Sequence, residues 1–326
     1  MSNLREKGFL RILYGLFFVA AFTVFMKPIN VNAETYETDQ TLTSDVTING
    51  DLTIANKAIT INLNGHKLTV TGNLLQCNGT MNINGGTLNV GGDYRIQKTN
   101  TNNTDGYDWS DGCLVMNNSK DVVIVKGSFV TSSDANGSST TPNNILTAGK
   151  MEVYGNFAQV NHGFNTEAFP ADGTKVVLCG TKQQKISFDN PTNSYFSDLS
   201  LVNTDVVVEK PMRGFKMTED LEFSNGLPNG IYGNMDVNGY RLTVGGDMLL
   251  GESSATATSA SWGVFNVNGG EVLVAGNLRQ DASVLKIGGG TMTVQGNYRL
   301  QRLNSNNTDV MIGQTDVLLW IMLLMF

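Results

Sequence analysis

The sequence predicts an all-β fold, a parallel β-solenoid with coils of about 20 residues, and three observations carry that reading. Apolar and polar residues alternate in short runs, as on a strand with one buried face. Asn-Gly dipeptides separate these runs, marking tight turns. One turn-plus-strand phrase also returns at a near-fixed period, the mark of stacked repeats.

In chain order, the alternating runs are Ile59/Ile61/Leu63, Leu68/Val70, Met81/Ile83, Leu88/Val90, Val123/Val125, Leu242/Val244, Val272/Val274 and Met292/Val294. The turns are Asn64-Gly65, Asn84-Gly85, Asn238-Gly239 and Asn268-Gly269. The phrase reads NGHKLTV at 64, NGGTLNV at 84, NGYRLTV at 238, NGGEVLV at 268 and GGGTMTV at 288. A Gly-Asn or Gly-Asp pair follows at 72, 92, 246, 276 and 296. A unit this short cannot close a hydrophobic core alone and must stack on its neighbours. Gly and Asn suit the corners because both tolerate the left-handed backbone. The alternative is an antiparallel β-sandwich in which each Asn-Gly is a hairpin turn. Recurrence of one phrase at a near-fixed period favours the solenoid.

Composition removes other classes. The 326 residues include 36 Gly and 37 Asn, and strong helix formers are scarce, which argues against a helical bundle. Gly does not recur every third residue, so the chain is not collagen-like. With 6 Pro and 40% hydrophobic residues it is not a disordered tail. A net charge of −7 disfavours binding to nucleic-acid phosphates.

Residues 1–33 read as a secretory signal peptide. Arg5, Lys7 and Arg11 precede the apolar run from Ile12 to Met26, and Val31-Asn32-Ala33 fits a cleavage site. Two blocks of repeats are expected at 34–173 and 174–309, the second carrying a copy of the first. Residues 287–309 repeat 83–105 at an offset of 204, and the similarity stops at Asp309. Restoring one base to a permitted codon string for 310–326 yields G-Y-D-W-S-D-G-C, the phrase that begins at Gly106. The apolar tail 310–326 is therefore expected to be an out-of-frame reading of the next repeat rather than a transmembrane anchor.

Between 174 and 237 the pattern changes to G-T-x-Q-Q-x-I-S-F, a loop, then F-S-D-L-S-L-V-N. With the repeats around it, this stretch resembles the adhesin-like β-solenoids of large secreted bacterial proteins, over most of residues 40–309. The resemblance rests on repeat texture. It implies surface display and carries over no catalytic residue.

The densest chemistry lies in N-T-D-G-Y-D-W-S-D-G, where Asp105, Asp108 and Asp111 stand three residues apart. Hard oxygen ligands on a loop suit calcium, although this spacing matches neither an EF-hand nor a β-roll nonapeptide. Otherwise they are solvated turn acids, and no other cofactor is expected. Tyr107 and Trp109 share that loop, and Trp262 follows the flexible segment GESSATATSAS. Such rings either stack on sugars or pack down as lids over the coils.

Cys77, Cys113 and Cys179 form no C-x-x-C pair, and each fits a small core position. Cys77 and Cys113 stand where adjacent coils would bring a disulfide within reach. His66 occupies a turn position that Tyr240 fills later, and nothing near His162 in sequence marks a nucleophile. No G-x-S-x-G, P-loop or H-E-x-x-H motif occurs. The expected function is that of a secreted or cell-surface repeat protein, structural or adhesive, meeting extracellular glycans or host surfaces through loop aromatics. The competing expectation is a polysaccharide lyase or glycoside hydrolase, which needs acids converging across coils.

Overall fold

The computed structural model describes residues 29–133, 135, 137–138, 141–142, 145–162, 167–251, 263–281 and 283–300. Residues 1–28 of the expected signal peptide, Trp262 and the 310–326 tail lie outside the described residues. No helix occurs among the described residues, and the chain winds through short strands on three faces.

On the first face, the first half of Val46–Ile54 begins a parallel ladder. It continues through Lys67–Val70, Thr87–Val90, Val122–Val125, Lys150–Val153, Pro170–Leu178 and Tyr195–Leu201. On the second face, the other half of Val46–Ile54 leads to Leu74–Gln76, Tyr94–Ile96, Phe129–Thr131, Phe157–Gln159, Gln184–Phe188 and Val206–Val208. The third face stacks Gln40–Thr41, Thr60–Asn62, Thr80–Asn82 and Cys113–Val115.

Beyond Val208 the ladders resume. Leu221–Phe223, Arg241–Val244, Glu271–Val274 and Thr291–Val294 form one. Leu227–Tyr232, Met248–Leu250, Leu278–Gln280 and Tyr298–Leu300 form another. Met235–Asp236, Val264–Asn266 and Val284–Lys286 form the third.

These ladders are parallel, which excludes the antiparallel sandwich. The two antiparallel pairs, Lys98–Thr99 with Tyr107–Asp108 and Gly137–Ser138 with Thr141–Pro142, are small hairpins inside loops. Pro170–Leu178 runs across the expected block boundary at 173/174 and pairs on both sides, so stacking is continuous there. Ile29–Tyr36 pairs with Val46–Ile54 and crosses the expected cleavage point after Ala33.

Alternation decides which residues fill the interior. Ile48, Val70, Val90, Val125, Val153 and Leu178 follow one another in register, all fully buried. On the second face the same kind of column starts with Leu52 and Leu74 and then enlarges to Tyr94, Phe129 and Phe157. Aromatic volume fills the wider coils there, keeping the interior close-packed.

The corners follow the sequence reading. Asn64, Asn84, Asn238 and Asn268 adopt φ of 49°, 44°, 57° and 48°, the left-handed backbone that Asn accepts at low cost. Between the first and second faces, side-chain oxygens form a ladder. Asp51 Oδ1 accepts from the backbone N–H of Asn73 at 2.7 Å, and Asn73 Oδ1 from that of Asp93 at 2.8 Å. Asp93 Oδ1 then accepts from Ser128, and Asp247 and Asn277 repeat the bond later with Asn277 and Asn297. The glycine before each ladder residue makes room. A Cβ at Gly72 would lie 2.2 Å from Asp51 Oδ1, and one at Gly276 would lie 2.4 Å from Asp247 Oδ1.

Candidate functional site

The coils lengthen at one place. After the second-face strands Tyr94–Ile96, Phe129–Thr131, Phe157–Gln159 and Gln184–Phe188 the chain makes insertions before the next coil begins, and among their described residues 97–112, 132–133, 160–162, 167–169 and 189–194 lie at one corner. A loop over a buried edge must satisfy its backbone groups. The buried polar residues gather there accordingly: Gln76, Gln97, Ser110, Thr131, Ser132, Ser133, Gln159, Glu167, Asn190 and Ser194. Ser133 Oγ donates to the Gly112 carbonyl at 2.6 Å. Gln159 Oε1 accepts from the Asn190 backbone N–H at 2.7 Å and from Ser194 Oγ at 3.2 Å.

The first insertion is a short hairpin. Asn100 Nδ2 donates to Asp108 Oδ2 at 2.9 Å, and the Asp108 Oδ1 atom caps the backbone N–H of Trp109. Tyr107 and Trp109 are half-buried at its base. The Arg95 guanidinium lies over the Tyr107 ring at 4.6 Å, and Lys98 Nζ lies over the Trp109 ring at 4.1 Å. Cation–π contacts at such partly exposed positions are worth about 0.5–1 kcal/mol each. The rings thus both pack against the corner and carry cations beside them.

The three aspartates separate. Asp105 turns towards His162, Asp108 serves the hairpin, and Asp111 Oδ2 lies 4.0 Å from Lys98 Nζ. Among the described residues no three His, Cys, Asp or Glu side chains are grouped as a metal site. The three thiols are free. Cys77 is buried, Cys113 and Cys179 half-buried, and burial pushes the Cys113 thiol up to about 11.

Sequence reasoning passed over His162. Its side chain is 9% exposed, with Nε2 2.9 Å from Asp105 Oδ2 and Nδ1 2.9 Å from Ser132 Oγ. A carboxylate only accepts, so in the neutral imidazole Nε2–H donates to Asp105 and Nδ1 accepts from the Ser132 hydroxyl. The backbone N–H of His162 donates to Glu167 Oε1 at 3.1 Å. The order Ser–His–Asp has the composition of a hydrolase triad. Ser132, however, is fully buried, so a substrate cannot reach its hydroxyl, and the chain of bonds acts as a clasp across three coils. A clue in the sequence would have been that both residues lie in insertions interrupting the same phase of the repeat.

This clasp depends on pH. Partial burial pushes the Asp105 carboxyl up, but hydrogen bonds from His162 and from the Tyr107 backbone N–H outweigh it and hold the pKa below the ordinary carboxylate value. A lowered folded-state pKa gives stability that is full above the unfolded value and lost as pH falls through the folded one. The hairpin is therefore expected to loosen below about pH 4. Amide exchange at Tyr107 and His162 between about pH 6 and pH 3 checks this, and Asp105→Asn should abolish the step. A pH-independent exchange rate ratio between wild type and Asp105→Asn would refute it.

Compared with known proteins, the chain matches no family model, no curated protein and no solved structure.

Proposed function

We propose that this is a secreted or cell-surface solenoid with an adhesive role, binding extracellular glycans at the corner that carries the insertions. The supporting observation is the grouping at the first hairpin, where Tyr107 and Trp109 stand beside Arg95 and Lys98. Aromatic rings supply an apolar plane for the C–H face of a sugar, and neighbouring charged groups bond its hydroxyls. A stack of coils suits the display of such a corner because each repeat is held rigidly by its neighbours.

The test is a glycan panel probed with the whole protein and with Tyr107→Ala/Trp109→Ala. Binding is expected to fall about 10-fold or more in the double variant, the loss typical of removing a stacking aromatic anchor. Unchanged binding would remove the hairpin from the reading. Release of reducing or unsaturated sugar ends would replace adhesion with catalysis.

A further inference from the structure

Val284–Lys286, Thr291–Val294 and Tyr298–Leu300 form the last described coil. Each strand pairs with the coil before it, and among the described residues none pairs on the far side. The side chains are open in the same direction. Val284, Ile287, Tyr298 and Leu300 are 37% to 43% exposed. In the earlier block, 204 residues before, Ile83, Tyr94 and Ile96 hold the places of Ile287, Tyr298 and Leu300, and all three are fully buried. A strand edge that is both unpaired and apolar is a template for a further strand.

The earlier block shows how such a coil is covered. After Ile96 the chain makes the insertion 97–112 and returns as Cys113–Val115, parallel to Thr80–Asn82. The Cys113 N–H donates to the Gly79 carbonyl at 2.8 Å, and the Ile83 N–H to the Val115 carbonyl at 3.2 Å. Leu114 and Met116 point inward and are fully buried. The same offset carries this arrangement past Leu300. Residues 301–316 equal 97–112 in length, and N-S-N-N-T-D at 304 repeats N-T-N-N-T-D at 100. The places of Cys113, Leu114, Val115 and Met116 then fall on Val317, Leu318, Leu319 and Trp320, a run without charge. Residues 321–325 read I-M-L-L-M where the corner 117–121 reads N-N-S-K-D, so without turn residues the correspondence ends at Trp320.

We propose that the open end of this coil is a docking surface for residues 317–320 of the same chain, which add a parallel strand beside Val284–Lys286. The length of the insertion sets the register, bringing Val317 to Val284, Leu318 to Leu285 and Leu319 to Lys286. Leu318 and Trp320 then face inward and cover Leu285 and Ile287, and the Ile287 N–H takes the Leu319 carbonyl as acceptor. Burying these apolar groups against each other removes both surfaces from water. The fit needs only the insertion length and an uncharged run, so it holds whichever reading frame produced the tail. It is independent of glycan binding at the hairpin. A second copy of the chain and a lipid bilayer would meet the same apolar surfaces, and the test separates them.

The test places a cysteine pair in the full chain, Lys286→Cys/Leu319→Cys, and maps the linked peptides by mass spectrometry after mild oxidation. Paired strands lie about 4.8 Å apart, within the span of a disulfide. A 286–319 disulfide within one molecule is expected. Lys286→Cys/Leu318→Cys should form far less, because its second thiol faces the interior. In the unaltered chain the Ile287 amide should exchange about 10-fold or more slowly than in a chain ended at Asp309. Should the shortened chain aggregate, Leu318→Asp/Trp320→Asp in the full chain gives the same comparison. A disulfide between two copies would make a second copy the occupant. Sedimentation with phosphatidylcholine vesicles by the full chain and not by the shortened one would place the tail in lipid. Either result, equal yields from the two cysteine pairs, or equal exchange at Ile287 would overturn the proposal.

Discussion

Phe157→Ala is expected to cost about 3–5 kcal/mol of folding stability, the range for emptying a buried aromatic site. The Phe157 ring is fully buried. Its centroid lies 5.1 Å from that of Phe129, 5.0 Å from Phe169, 5.9 Å from Phe188 and 5.0 Å from Phe196. The rings of Phe169, Phe188 and Phe196 meet it edge-on and that of Phe129 is tilted, so the truncation removes ring contacts with neighbouring coils on both sides. Stacked repeats gain stability from nearest-neighbour interfaces, and a defect in the middle weakens the joint between two halves. Urea denaturation should show the loss. Hydrogen exchange should place it at Phe129–Thr131 and Gln184–Phe188, the strands flanking Phe157–Gln159. Val202→Ala, at a side chain 71% exposed, should change stability by no more than about 0.5 kcal/mol. A Phe157→Ala loss below about 1 kcal/mol would mean that the ring column does not hold the wide coils together.

Gln76→Ala comes second, with an expected cost of about 2–3 kcal/mol, because it removes three hydrogen bonds of a buried amide and leaves the buried Tyr94 hydroxyl without that acceptor. Gln76 is fully buried, and its Nε2 donates to the carbonyls of Gly79 at 2.7 Å and Cys113 at 3.0 Å. Its Oε1 accepts from the Tyr94 hydroxyl at 2.6 Å. Burial pushes the Tyr94 phenol well above its ordinary range, so it stays protonated and remains a donor. Tyr94→Phe removes only one partner of the set and should cost about 1 kcal/mol. The Cys113 carbonyl begins the coil that follows the hairpin, so Gln76→Ala should also speed amide exchange at Tyr107. Equal costs for the two variants would show that the carbonyl bonds contribute nothing. The later block repeats the arrangement, with Tyr298 donating to Gln280 at 2.6 Å and Gln280 donating to Ser283.

The regular part of this fold was legible because each coil repeats the same local problem. Ile61, Leu63, Leu68, Val70, Leu88 and Val90 alternate in the sequence and are all fully buried. The Asn-Gly corners were legible for the same reason, since few residues accept a positive φ. What lay beyond reach was the company kept by the insertions. Asp105 and His162 are 57 residues apart and meet because their loops leave the same corner two coils apart. Even spacing of Asp105, Asp108 and Asp111 suggested one ligand set. The hairpin pairing of Lys98–Thr99 with Tyr107–Asp108 instead sends the three carboxylates to different partners. Nothing in the sequence sets Gln76 and Gln159 apart from the polar residues around them. Their role follows from the unpaired backbone groups that a widened corner leaves behind.

The ladder between the first and second faces has a direction. At each step the side chain of the earlier coil accepts and the backbone of the later coil donates, from Asp51 to Asn73, Asp93 and Ser128. The same sense holds from Asp247 to Asn277 and Asn297. Within each of these two runs every coil therefore presents the same plug to the one after it and the same socket to the one before. Excising a whole coil would bring the Asp93 backbone N–H against Asp51 Oδ1 and leave no orphan at the joint. Copying a block, as the 204-residue repetition records, likewise joins matched ends. Such a molecule can change its length by whole units without redesigning its interior, so its reach and its surface sites can vary independently.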